Sequence, residues 1–94
     1  MKVHVRAFAN FREILGGDLS VDLEKGSTVG DLLESLCSSR QRQQLRSAIF
    51  DDAGRVREYV IIMKNRKDVS ALRGLETVLE EGDEVAILPP VAGG

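Results

Sequence analysis

The chain has 94 residues, 43% apolar and 30% charged, with a formal charge of −2. That balance suits one globular domain with a single core, burying about 60–65% of the unfolded surface, and excludes a disordered chain. No apolar run nears the ~20 residues of a membrane span, and near-neutral charge argues against nucleic-acid binding even though "SSRQRQQLRS" is locally basic.

Residues 2–9, "KVHVRAFA", alternate strictly. Val3, Val5 and Ala7 share one face and Lys2, His4, Arg6 and Phe8 the other, which predicts a strand with one wet face. "NFREILGGD" reads as a short apolar helical turn closed by Gly16 and Gly17. Residues 18–24 alternate again, with Leu19, Val21 and Leu23 inward. In "KGSTVGDLLESLCSS" Thr28 is a helix N-cap and Asp31 its capping-box partner. Val29, Leu32, Leu33, Leu36 and Cys37 then fall at i, i+3, i+4, i+7 and i+8, a core-facing stripe. Gly30, at the second helical position, costs about 1 kcal/mol in propensity.

A weaker helical turn follows through Leu45, Ala48 and Ile49, then a turn at "DDAG". "EYVIIMKN" is β-branched and nearly continuous from Tyr59 to Met63, as expected of a buried central strand. "KNRKD" turns the chain, residues 69–72 suggest a short edge strand, and "RGLETVLEEGDE" suggests a helical segment stopped at Gly82. "DEVAIL" is the last strand, with Val85 and Ile87 inward.

One long helix with one apolar stripe, and strands with one apolar face each, cover one another when helix lies on sheet. With the first and last strands adjacent and parallel, this is an α+β, ubiquitin-like β-grasp: a mixed sheet of four to five strands with one main helix across it. Residues 1–88 are expected to form that domain and residues 89–94 an extended tail.

The tail, "LPPVAGG" from Leu88, is unusual. Pro89 and Pro90 fix φ, remove two donors and push the preceding residue toward extended geometry, so strand pairing should end there. Gly93 and Gly94 make the tip as slim as a peptide can be. A stiff stalk with a slim tip suits insertion of the Gly94 carboxylate into a partner's active site. A carboxylate accepts sulfur or an amine only once activated, most simply as an acyl-adenylate. No glycine-rich phosphate loop occurs in the sequence, so the activating machinery would be another protein.

"VRAFANFREILG", "STVGDLLESL" and above all "LEEGDEVAILPPVAGG" resemble the MoaD/ThiS sulfur-carrier family, in particular its MoaD-like small subunits of molybdopterin synthase. Archaeal ubiquitin-like small modifiers share the ending. The resemblance spans the whole chain. It implies a non-catalytic carrier whose Gly94 is adenylated by an E1-like enzyme using ATP and Mg2+ and converted to a thiocarboxylate. The tail (Pro89, Pro90, Val91, Gly93) would then enter the synthase large subunit, delivering sulfur for the molybdenum or tungsten cofactor. The chain itself would bind no cofactor and no metal. Two features depart from the family pattern. Residues 40–58 are longer and more polar than in the compact bacterial members, and "MKNRKD" replaces a simpler Asn-Gly-type turn. A ubiquitin-like modifier joined through Gly94 to target lysines, and a bare interaction module, remain alternatives.

A carrier also needs a docking face. Phe8 ends the outer face of the first strand and Leu88 that of the last, so the two should meet at the root of the tail and bind partners. The other possibility for Phe8 is a satellite core under the tail. Cys37 is expected to act as a small buried hydrophobe, and His4 as surface decoration. The acidic run Glu80, Glu81, Asp83 and Glu84 would be either a solvated loop or a complement to a basic partner. A chain of this size offers no obvious pocket for paired carboxylates. With one cysteine and no signal-peptide pattern, a cytoplasmic location is expected.

Overall fold

The computed structural model describes residues 1–38 and 43–89. The strands are β1 (Lys2–Ala7), β2 (Leu19–Asp22), β3 (Ile61–Lys64), β4 (Lys67–Asp68) and β5 (Glu84–Leu88). The helices are α1 (Asn10–Leu15), α2 (Val29–Cys37) and α3 (Gln43–Ile49). One mixed sheet runs β2-β1-β5-β3-β4, with β1 and β5 parallel and the other neighbours antiparallel. This is the β-grasp expected from the patterning.

Local chemistry explains most of it. The side chains of β1 alternate exposed and buried along the strand. Thr28 Oγ1 accepts from Asp31 N–H at 3.2 Å, and Asp31 Oδ2 accepts from Thr28 N–H at 2.9 Å. This capping box starts α2, and all five residues of its stripe are buried. They join Val3, Val5, Ile62, Val85 and Ile87 from the sheet in one core. Cys37 is buried and His4 exposed, as anticipated. Gly30, costly by propensity, sits tight against its neighbour: a Cβ there would lie 3.2 Å from the Leu75 carbonyl oxygen, so that a larger residue would need a shift of a few tenths of an ångström.

Three expectations need correction. The strand expected at 59–63 runs Ile61–Lys64 and is not central, since β5 lies between β3 and β1. Its early residues are held in a turn, with Val60 N–H donating to the Arg57 carbonyl at 3.0 Å. The apolar run is continuous because both faces carry apolar side chains: Ile62 faces the core while Ile61 and Met63 are only half-buried. The edge strand is β4 rather than 69–72. There Asp68 Oδ1 accepts from Ser70 N–H at 2.9 Å and caps a 3-10 turn at Val69–Ala71. The helical segment expected from Arg73 onward is only a 3-10 turn at Gly74–Glu76. Beyond it, Thr77 and Leu79 are buried and Val78 exposed, and the stretch straps the start of α2. Val29 N–H donates to the Thr77 carbonyl and Leu79 N–H to the Ser27 carbonyl, both at 2.9 Å.

The segment 40–58 is more than a polar insertion. From Gln43 it forms α3, which buries Leu45 and Ile49 in the core. The Arg46 guanidinium forks onto Glu34 of α2 at 2.8 and 3.1 Å, which holds the Glu34 carboxyl below its usual range. In "MKNRKD" the β3–β4 hairpin turns on Asn65 and Arg66, both at positive φ (48° and 71°) as a two-residue hairpin favours.

Candidate docking face and tail exit

The ends of three strands meet where the tail departs. Ala7 pairs with Ile87 in the parallel β1–β5 ladder, and Phe8 N–H donates to the Ile87 carbonyl at 3.2 Å. On the other flank Ile61 pairs with Leu88 and Met63 with Ala86. Paired residues share a face of the sheet. Leu88, Ala86, Ile61 and Met63 therefore line the side facing away from the helices, half-buried, while Phe8 beside them is 36% exposed. The ladder stops at Leu88, one residue before Pro89, which has no N–H to extend it.

Two features hold Phe8 in place. The Arg6 guanidinium lies 5.5 Å from the centre of its ring and 3.7 Å from Glu84 Oε1 on β5, a cation–π geometry. Behind it, Phe11 N–H donates to the Phe8 carbonyl at 3.1 Å, closing a turn with Ala9 at φ 51°, ψ −125°. That is glycine territory for the first central residue of a hairpin-type turn, and a side chain there costs about 1–3 kcal/mol. Ala9→Gly is expected to raise unfolding stability by about 1 kcal/mol, strain relief exceeding the extra chain entropy. A later urea midpoint at unchanged slope would show it.

Phe8 and Leu88, singled out from sequence, are thus brought together, with Pro89 next to them. Pro90, Val91, Gly93 and Gly94 lie outside the described residues. Sequence reasoning missed Ile61, Met63, Arg6 and Ala9. Alternation in "YVIIMK" could have placed Ile61 and Met63 on the outer face, had the strand been set beside β5. An open groove of about 400 Å³, lined by Val56, Val60, Ile61, Val69 and Leu75 among others, runs beside β3 where the short β4 leaves it uncovered. The acidic run divides in two. Asp83 is buried and accepts hydrogen bonds at 2.8 Å from Asn65 Nδ2 and 2.7 Å from Glu80 N–H, whereas Glu80 and Glu81 are exposed. Among the described residues no cluster of His, Cys, Asp and Glu is placed to hold a metal ion, and no helix is long and apolar enough to cross a membrane.

A β-grasp with an apolar outer face at the exit of its last strand defines a ubiquitin-like protein. The chain belongs to the ThiS family, whose model matches residues 5–94. It is 38% identical to small archaeal modifier protein 3 of Haloferax volcanii, over 100% of each chain. It is 35% identical to the molybdopterin synthase sulfur carrier subunit of Drosophila erecta, over 100% of this chain and 92% of that one. The solution structure of small archaeal modifier protein 1 from Methanosarcina acetivorans superposes with a TM-score of 0.84 at 35% identity, covering 99% of this chain and 96% of that one. The resemblance to sulfur carriers and archaeal modifiers read from the sequence is borne out.

Proposed function

We propose that the chain is a sulfur carrier acting through the carboxylate of Gly94, the last residue of a tail spanning 89–94. An E1-like partner, using ATP and Mg2+, adenylates that carboxylate; a partner persulfide displaces AMP to form an acyl disulfide, and a second partner thiol attacks the partner's sulfur of that bond, forming a disulfide and releasing the thiocarboxylate. As small subunit of a molybdopterin synthase, the protein then passes Pro89, Pro90, Val91 and Gly93 into the large subunit and donates sulfur to a pterin precursor of the molybdenum or tungsten cofactor in the cytoplasm. Catalysis belongs to the partners. The observation that carries this reading is the meeting of Phe8, Leu88 and Ile61 at the point where the tail leaves. A partner docked there takes hold of the tail at its root. Similarity to a synthase sulfur carrier subunit supports it.

A second reading, a ubiquitin-like modifier joined through Gly94 to lysines of target proteins, is favoured by the 38% identity with an archaeal modifier. Both need the same activated carboxylate. Mass spectrometry after incubation with a cognate activating enzyme, ATP, Mg2+ and a sulfur source separates them. Exchange of one oxygen for sulfur marks the carrier, Gly94-dependent adducts on other proteins mark the modifier, and an unchanged mass beside a charged control carrier sinks both. Phe8→Ala is expected to weaken binding to the activating enzyme or large subunit by about 1–3 kcal/mol with the fold intact. An unchanged dissociation constant in calorimetry would remove this face from the mechanism.

A further inference from the structure

On the β4 side the sheet ends in an incomplete edge. The β3–β4 ladder has two rungs, Met63 with Asp68 and Lys64 with Lys67. A third would set Val69 opposite Ile62, but Val69 opens the 3-10 turn that Asp68 caps, so the chain leaves the sheet there. Main-chain groups along a strand point alternately to its two sides. The Asn65 N–H donates to the Glu84 carbonyl at 2.8 Å. Met63 and Ile61, two and four residues back, therefore also turn their main-chain groups to β5, where they pair with Ala86 and Leu88. Ile62 turns its N–H and carbonyl the other way, to the side that β4 does not reach. Neither group has a strand partner there, although the Ile62 side chain is only 3% exposed. An open main-chain donor and acceptor on an ordered strand are what a further strand pairs with.

The groove of about 400 Å³ lies along this edge. Val60, Ile61 and Ile62 line it on β3, Val56 on the loop before β3, and Val69 and Leu75 beyond β4. Tyr59 and Leu72, both exposed, stand in the same segments. At the end nearer the start of β3 the lining includes Arg55 and Arg57, neither held in an ion pair among the described residues. Arg57 is fixed there by its own main chain and side chain: its carbonyl accepts from Val60 N–H at 3.0 Å and its Nε donates to the Ser47 carbonyl at 2.9 Å. Of the two anions in the lining, Glu58 is exposed, and Asp68 Oδ1 already accepts from Ser70 N–H and Oγ at 2.9 and 2.8 Å. The groove thus joins an apolar floor to a basic end.

We propose that this edge is a docking site for an extended segment of a protein partner, which joins the five-stranded sheet antiparallel to β3, starting where β4 stops. The segment's residue opposite Ile62 accepts from the Ile62 N–H and donates to the Ile62 carbonyl. Its side chain, and that of the residue two further on, fall on the side that the Ile62 side chain takes. Both are apolar and branched, packing against Val56, Val69 and Leu75, while the residue between them faces outward and is polar. Running antiparallel, the segment brings its C-terminal end to Arg55 and Arg57, so that end is acidic. Main-chain pairing selects an extended peptide, and the alternate pockets and basic end select its sequence. Ile61 lines this groove and also pairs with Leu88 at the tail exit, so the two surfaces are continuous.

The test is nuclear magnetic resonance on the nitrogen-15-labelled full chain, with the peptide acetyl-Val-Thr-Val-Thr-Glu-Glu-amide as probe. In the free chain the Ile62 amide should exchange with solvent about tenfold faster, or more, than that of Met63, which pairs into β5. The probe should slow that exchange and shift the resonances of Ile62, Val56, Val69 and Leu75. N-methylation of both valines removes the donors that face β3 and should weaken binding about tenfold. N-methylation of the first threonine, whose amide faces away, should change it little. Lysines in place of the two glutamates, or Arg55→Glu on the exposed rim, should weaken it severalfold. An Ile62 amide already protected in the free chain overturns the proposal, as does equal loss from methylating the valines or the threonine. Shifts confined to the Phe8 face, or none at millimolar probe, overturn it too. The tail takes no part, so either result leaves the reading of Gly94 untouched.

Discussion

Deleting Gly93 and Gly94 is expected to leave a domain of unchanged stability that its activating partner no longer charges. The core runs from Val3 to Ile87 and is closed by contacts among β1, β3, β5 and α2, so the unfolding midpoint should hold. Charging should fall to background, because the new terminus would be Ala92, set two residues nearer the domain and carrying a methyl group where the tip had none. The loss should exceed that from any docking substitution: a weakened face is overcome by raising partner concentration, a displaced carboxylate is not. A companion variant, Gly93→Leu, keeps the length and widens the tip. It should bind the partner through the Phe8 face with unchanged affinity and be charged far more slowly. The pair of measurements is a binding isotherm beside a time course of ATP-dependent pyrophosphate release. Equal charging of the Leu variant and the parent would end the slim-tip argument.

The sequence carried the fold wherever a single period dominated. The alternation in β1 and β5 and the five-residue stripe of α2 each have one buried face, and each appears as expected. It misled where apolar residues serve two faces or where backbone chemistry outranks pattern. Ile61 and Met63 are apolar because the outer face of β3 is a surface to be covered, so an ordinary antiparallel strand looked like a deeply buried one. The stretch after Arg73 has helix-forming residues, yet Thr77 and Leu79 hydrogen-bond with the start of α2, and that non-local pairing is invisible to propensity. At the exit, Phe8 and Leu88 followed from strand parity alone. Ala9 did not, because positive φ in alanine leaves no mark in composition. The acidic run read as one feature since charge is legible in sequence and burial is not.

Asp83→Ala is expected to destabilise the domain by about 2–3 kcal/mol, a large effect for a residue that looked like surface charge. Asp83 ties the β3–β4 hairpin to the turn before β5. Its Oδ1 accepts from Asn65 Nδ2 at 2.8 Å, its Oδ2 accepts from Glu80 N–H at 2.7 Å, and Lys64 Nζ stands 3.6 Å away. Asn65 Oδ1 in turn accepts from Glu84 N–H at 2.9 Å, so the same link fixes the first residue of the central strand. Removing the carboxylate leaves the Glu80 N–H and the Asn65 amide short of an acceptor and frees Lys64 from its only anion in the cluster among the described residues. Burial alone would push the Asp83 carboxyl up. The hydrogen bonds from Asn65 and Glu80 and the Lys64 charge outweigh it and hold the group below its ordinary value. A carboxyl depressed in the folded state adds stability that is complete above its unfolded value near ~3.9 and drains away as pH falls through the folded value. The parent should therefore lose stability below about pH 4 more steeply than Asp83→Ala, and the two urea midpoints should converge on acidification. Parallel curves across that range would mean that Asp83 holds the hairpin by shape alone and not by charge.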